Sequence, residues 1–149
     1  KIYLNKLDIT NDSIQNKKIG YMLQDYFLFP HFNVRNNLIF SLPKQTRNKK
    51  EQVLNYLKQI NMDEFSNHYP SELSGGQKAR IACLRAIVSN PNALLLDEPF
   101  SSLDKKTMKS FQKFLFDYVK KLNIPCIIVS HRLVENLNNS MELNIAKFA

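Results

Sequence analysis

Two short runs carry the residue types of phosphate chemistry: Ser74-Gly75-Gly76-Gln77, preceded by Leu73, and Leu94-Leu95-Leu96-Asp97-Glu98-Pro99. A serine and two glycines opening a helix leave backbone N–H groups unblocked, and those groups attract an anion together with the helix dipole. A buried strand ending in two carboxylates offers a magnesium ligand, Asp97, and a base, Glu98, for a water attacking a phosphoryl group. Ser130-His131 follows a later apolar run, and Gln24 follows an earlier one. An imidazole so placed can stabilise charge developing in phosphoryl transfer, and the Gln24 amide can ligate Mg²⁺ and contact the attacking water. Taken singly, each has a plain alternative. Serine and glycine cap many helices that meet only water, strands often end in solvated acids, and His131 or Gln24 is then an ordinary surface residue. Together they point to ATP. The sequence holds only Gly20, Gly75 and Gly76, with no Gly-rich loop ending in Gly-Lys-Ser or Gly-Lys-Thr, so half of a phosphate site is missing from it.

The elements that must position these residues follow from periodicity. Residues 1–10 alternate loosely through Ile2, Leu4 and Ile9, as half-exposed antiparallel strands do. Residues 19–23 form a compact apolar strand stopped by Gln24-Asp25, and residues 26–37 are an aromatic-rich loop broken by Pro30. Beyond the charged stretch 44–51, Val53, Leu57 and Ile60 with Tyr56 beside them predict an amphipathic helix. Residues 74–89 read as a helix with Ile81, Leu84 and Val88 on its apolar stripe, halted at Asn90-Pro91. Residues 93–96 are continuously apolar, the pattern of a strand buried on both faces of a parallel sheet. Asp104 is placed to cap a long helix carrying Met108, Phe111, Leu115, Tyr118 and Leu122. A last apolar strand, 126–129, precedes His131 and a short helix containing Leu133 and Leu137. Strand and helix alternating at these lengths predict a parallel α/β sheet, whose ligands bind at the carboxyl ends of the strands. Gln24, Asp97, Glu98 and His131 each fall at such an end.

The totals bound the rest. A chain of 149 residues suits one domain. No apolar run approaches the roughly 20 residues that span a bilayer, and Lys1 does not open a secretory leader. Cys83 and Cys126 lie inside apolar patterns and match no zinc spacing, so both are expected to be reduced core residues in a cytosolic protein. The formal charge of +8 is spread over lysine pairs at element ends, which favours a solvated surface over nucleic-acid binding. His31 and His68 read as loop residues.

In order and spacing, Leu73 to Gln77, Leu94 to Glu98, Ser102-Leu103-Asp104 and Ser130-His131 resemble the signature motif, Walker B with its catalytic glutamate, the D-loop and the H-loop of the ATP-binding-cassette (ABC) ATPases. Gln24 resembles the Q-loop glutamine. Within that family, the run from Gln24 to His31 followed by Val34 to Leu38, with Asn123-Ile124-Pro125, is similar to oxyanion importer ATPases, the molybdate subunit most of all, although sulfate, iron and polyamine importers share much of that loop. The resemblance implies a P-loop NTPase-like parallel sheet with helices on both faces, plus a helical signature subdomain at about 33–90 within a single domain, 1–149. It implies ATP and Mg²⁺ as cofactors, with Asp97 and Gln24 on the metal. Glu98 would be the general base, and His131 and Gln24 would contact γ-phosphate and water. It implies a second nucleotide-binding domain, identical or not, packed head to tail. Ser74, Gly75, Gly76 and Gln77 would serve the nucleotide that this partner holds, and Asp104 would organise the dimer interface. A transmembrane permease subunit would dock on residues 25–37, with Phe27, Phe29 and Phe32 as candidate contacts. The protein would lie in the cytoplasm at the inner face of the membrane, touching it only through the permease.

The pattern departs from the family at its start, where residues 1–10 match a segment that follows the Walker A loop. The expectation is an N-terminally incomplete cassette lacking a βαβ unit of roughly 30 residues or more, with an exposed apolar sheet edge and poor solubility. The stretch 140–149 carries no Gly-centred hairpin, which fits a truncated product. Two alternatives stand beside an importer ATPase. One is a catalytically dead cassette acting as an interaction module, which lends its signature motif to a complete partner. The other is a cassette of DNA repair or translation, against which the short spacing from Gln24 to Leu73 argues.

Overall fold

The computed structural model describes residues 1–4 and 6–131. The expected helix through Leu133 and Leu137, and the stretch 140–149, lie outside the described residues. At the start, β1 (Tyr3–Leu4) and β2 (Leu7–Asp8) pair antiparallel with Leu4 opposite Leu7, as the loose alternation predicts. A one-turn helix follows that sequence patterning did not indicate, α1 (Ile14–Lys17), where the Ser13 side chain accepts the Asn16 N–H.

The frame of the site is a parallel sheet in the order β3 (Ile19–Met22), β4 (Ala93–Asp97), β5 (Cys126–Val129). Its register aligns Tyr21 with Leu95 and Leu95 with Ile127. Because side chains alternate along a strand, Met22, Leu94 and Leu96 share one face, and all three are buried in the core with Ile81, Leu84, Phe111 and Leu115. The expectation that 93–96 is buried on both faces is therefore corrected. Leu95 is only half-buried, and the flanking Tyr21 and Ile127 are 55% and 61% exposed. Gly20 fits where no other residue would, since a Cβ there would sit 2.6 Å from Leu94 Cδ2 and 2.7 Å from the Ala86 carbonyl oxygen.

Between β3 and β4 the chain folds α2 (Val34–Ser41), α3 (Lys49–Gln59), 3-10 turns at Asp63–Phe65 and Pro70–Glu72, and α4 (Gly75–Val88). The first four residues of α2 were expected as loop; Asn33 caps this helix by accepting the Asn36 N–H, and Val34, Asn37 and Leu38 are buried beneath it. In α3, Val53 and Leu57 form the predicted buried face. In α4, Ser74 caps the N-terminus, and the apolar stripe of Ile81, Leu84 and Val88 is buried. After β4 comes α5 (Lys105–Leu122), where Asp104 Oδ1 accepts the N–H groups of Lys106 and Thr107, both at 3.0 Å. That carboxyl is consequently held below the usual carboxylate range, chiefly by its hydrogen bonding with Thr107. Both cysteines are free; burial raises the Cys83 thiol and pushes Cys126 up to about 11, as inert core thiols require. Among the described residues no helix is long and apolar enough to cross a membrane.

Candidate nucleotide site

Parallel pairing places the carboxyl ends of β3, β4 and β5 together, and with them Gln24, Asp97, Glu98 and His131. Asp97 ends β4, half-buried. Glu98 follows in the left-handed region at φ 49°, a conformation costly for a side-chain-bearing residue. Three contacts hold it there. Its N–H donates to the Val129 carbonyl at 2.8 Å, its Oε1 accepts the backbone N–H of His131 at 2.8 Å, and its own carbonyl accepts the N–H and the hydroxyl of Ser101. The result is a Glu98 side chain only 9% exposed, fixed at the sheet end rather than solvated. His131 acts on it through its backbone; the imidazole Nε2 lies 3.7 Å from Oε1, and the side chain is 98% exposed, open to an incoming ligand. Gln24, two residues past β3, is exposed at the same end.

At the head of α4, Gln77 donates its backbone N–H to Ser74 Oγ at 3.3 Å, and Ser74 N–H donates to Gln77 Oε1 at 2.7 Å. This reciprocal cap engages the Gln77 side chain within the chain, leaving Ser74 and Gly75 as the outward-facing pair. Gly76 is demanded by packing: a Cβ would lie 2.6 Å from the Ser102 carbonyl oxygen and 3.1 Å from Leu103 Cδ2. The loop that leaves Glu98 therefore rests, through Ser102 and Leu103, on the helix that Ser74 opens.

The loop after β3 carries an aromatic cluster that the sequence only half revealed. Phe29 packs edge-on against Phe32 and Phe40, with centroids 5.7 and 4.9 Å apart, and His31 packs against Phe32. Phe27 and Phe40 are 60% and 65% exposed, so Phe40 joins the candidate docking residues beside Phe27. Asn37, fully buried, organises the loop. Its Oδ1 accepts the Phe29 N–H, and its Nδ2 donates to the carbonyls of Phe29, Phe32 and Asn33. Arg85 lies over the Phe29 ring at 5.1 Å, and burial lowers its guanidinium below the usual arginine range while leaving it a cation.

Among the described residues no three His, Cys, Asp or Glu cluster to hold a metal by themselves. The oxygen donors at the sheet end, one carboxylate from Asp97 and one amide from Gln24, suit Mg²⁺, which keeps waters and takes phosphate oxygens as its other ligands.

Comparison with known proteins places this geometry. A family model described as ABC transporter matches residues 1–101. A protein of Chlorella vulgaris named as a probable sulfate/thiosulfate import ATP-binding protein is 36% identical over 96% of this chain and 62% of its own length. The sulfate/thiosulfate import ATP-binding protein of Neisseria meningitidis serogroup A is 38% identical over 96% of this chain and 42% of its own. The chain thus spans less than two thirds of the length of these relatives. Among solved structures, the ATP-binding cassette MJ0796, a dimer in a post-hydrolysis state bound to ADP and Pi, superposes with a TM-score of 0.76 over 87% of this chain and 62% of its own, at 26% identity. The two import ATP-binding relatives are named for sulfate and thiosulfate, so the molybdate preference read from the aromatic loop finds no support among them. The fold, the ordered motifs and these likenesses agree that the chain belongs to the ABC transporter family.

Proposed function

We propose that this chain is part of the ATP-binding subunit of an importer for sulfate-type oxyanions, in which ATP hydrolysis drives uptake through a membrane-embedded permease. The observation that carries the reading is the fixed Glu98 carboxylate at the sheet end where Asp97, Gln24 and His131 also lie. Asp97 and Gln24 would hold Mg²⁺, which when bound neutralises phosphate charge. Glu98, oriented by the His131 backbone N–H, accepts the proton of the attacking water, and the exposed His131 imidazole donates toward the transferred phosphoryl group. Ser74 and Gly75 present the head of α4 to a nucleotide carried by a second cassette, with Asp104 in the loop between them. The permease docks on the aromatic cluster of Phe27, Phe29, Phe32 and Phe40, which would hold the protein at the cytoplasmic face of the membrane.

The test is reconstitution of the complete gene product with its permease in vesicles, following ATP hydrolysis and sulfate uptake together. Glu98→Gln should lower turnover roughly a hundredfold or more, the usual weight of a general base. Undiminished turnover in that variant would refute Glu98 as the base, and ATP hydrolysis without any sulfate uptake would refute the solute class.

A further inference from the structure

The Tyr26 hydroxyl and Ser102 Oγ lie 2.9 Å apart, joining residues 76 positions apart in the chain. Tyr26 stands at the root of the aromatic loop, and Ser102 stands in the loop from Glu98 to α5, its carbonyl against Gly76. The backbone on the Tyr26 side is under tension: Tyr26 and Phe27 both have positive φ, 63° and 39°, consecutive left-handed residues without a glycine. Such a pair persists only where its surroundings over-determine it. The restraints are visible. Tyr26 N–H donates to the Leu23 carbonyl at 2.9 Å, Phe27 N–H to the Asp25 carbonyl at 2.7 Å, and Arg85 Nη2 to the Tyr26 carbonyl at 3.4 Å. Arg85 Nη1 is buried with no hydrogen-bond acceptor, and the guanidinium packs over the Phe29 ring. Arg85 itself belongs to α4, so the aromatic loop, the helix headed by Ser74 and the loop carrying Ser102 meet in one contact set.

We propose that Tyr26 is a positioning residue: its hydrogen bond to Ser102 transmits the state of the aromatic loop to residues 101–103, and through Gly76 to the head of α4. The inference rests on the importer reading for its partner, since the permease is what would move Phe27 and Phe40. A strained two-residue turn tied across to Ser102 by one hydroxyl is an element that docking can bias, which is the physical requirement for coupling two surfaces.

The test begins with hydrogen exchange on the chain itself. Tyr26→Phe removes one oxygen and keeps the ring. It should speed exchange of the Ser101 and Leu103 amides, which donate to the Glu98 and Phe100 carbonyls, by roughly two- to tenfold, the worth of one hydrogen bond. Ser102→Ala should do the same, and the double variant should add nothing further. In the reconstituted transporter, Tyr26→Phe should lower permease-stimulated kcat by a similar factor while KM for ATP and Tm stay near wild type, a split that general loosening would not give. Wild-type exchange at Ser101 and Leu103, or additive effects in the double variant, overturns the link. A transporter that hydrolyses no ATP in any form overturns the importer reading instead, and the exchange data still decide the link.

Discussion

Replacing Gly76 by alanine sets two effects of known sign against each other. In a helix, alanine is favoured over glycine by about 1 kcal/mol. Here the new Cβ would lie 2.6 Å from the Ser102 carbonyl oxygen, a backbone atom, and 3.1 Å from Leu103 Cδ2. The loop cannot easily withdraw, because Ser102 is tied to Tyr26, Ser101 to Glu98, and Leu103 is 5% exposed. Forcing a methyl group into packed surroundings costs about 1–3 kcal/mol; because the nearest atom is backbone, the cost falls in the upper part of that range, about 2–3 kcal/mol, so the clash wins and the net loss is about 1–2 kcal/mol. At about 2–4 °C per kcal/mol for a domain of this size, Tm should fall by roughly 2–8 °C. Gly75→Ala is the internal control. Its Cβ would find Ser102 Oγ at 3.5 Å, an ordinary contact, so it should be neutral or mildly stabilising. Thermal unfolding followed by far-ultraviolet circular dichroism compares the pair. Equal or higher Tm for Gly76→Ala than for Gly75→Ala would refute the packing argument and return Gly76 to a purely ligand-facing role.

Asn37→Ala removes four hydrogen bonds from a buried position and should cost roughly 2–4 kcal/mol, with faster amide exchange at Phe29; a loss under about 1 kcal/mol in urea unfolding would mean that water replaces the side chain. Asp104, its pKa lowered by hydrogen bonding with Thr107, adds stability above the ordinary carboxylate range and should lose it as pH falls through the lowered folded value. Asp104→Asn keeps the capping oxygen, so acid titration of Tm should be flatter in that variant than in wild type.

The parts of the fold written most plainly in the sequence are those where local and tertiary preferences agree. Ser74 and Asp104 cap helices whose apolar stripes repeat at helical spacing, and both helices form there. The sheet-end cluster was equally legible, because parallel strands bring their carboxyl ends together whatever the intervening chain does. The start of α2 was not, since Asn36 and Asn37 are weak helix formers and this helix exists because Asn33 caps it and Asn37 and Leu38 are buried against the rest. Nor could periodicity reveal that Phe40 completes the aromatic cluster, that the His131 backbone rather than its ring grips Glu98, or that Gln77 closes a cap on Ser74. Those depend on side-chain reach across long sequence separations or within a single turn. The covered and open faces of β4 look alike in a run of leucines, and only the placement of neighbours separates Leu94 and Leu96 from Leu95.

The left-handed turn at Glu98 sets two selective demands in opposition. The backbone strain there would be eased by glycine or asparagine, residues at home in that geometry, yet neither supplies the carboxylate that accepts the His131 N–H or accepts a proton. Under the base role proposed for Glu98, a lineage released from hydrolysis is free to drift to one of them, while one still under that demand keeps the acid. The identity of this single position in any descendant is thus a running record of whether its turnover is still wanted.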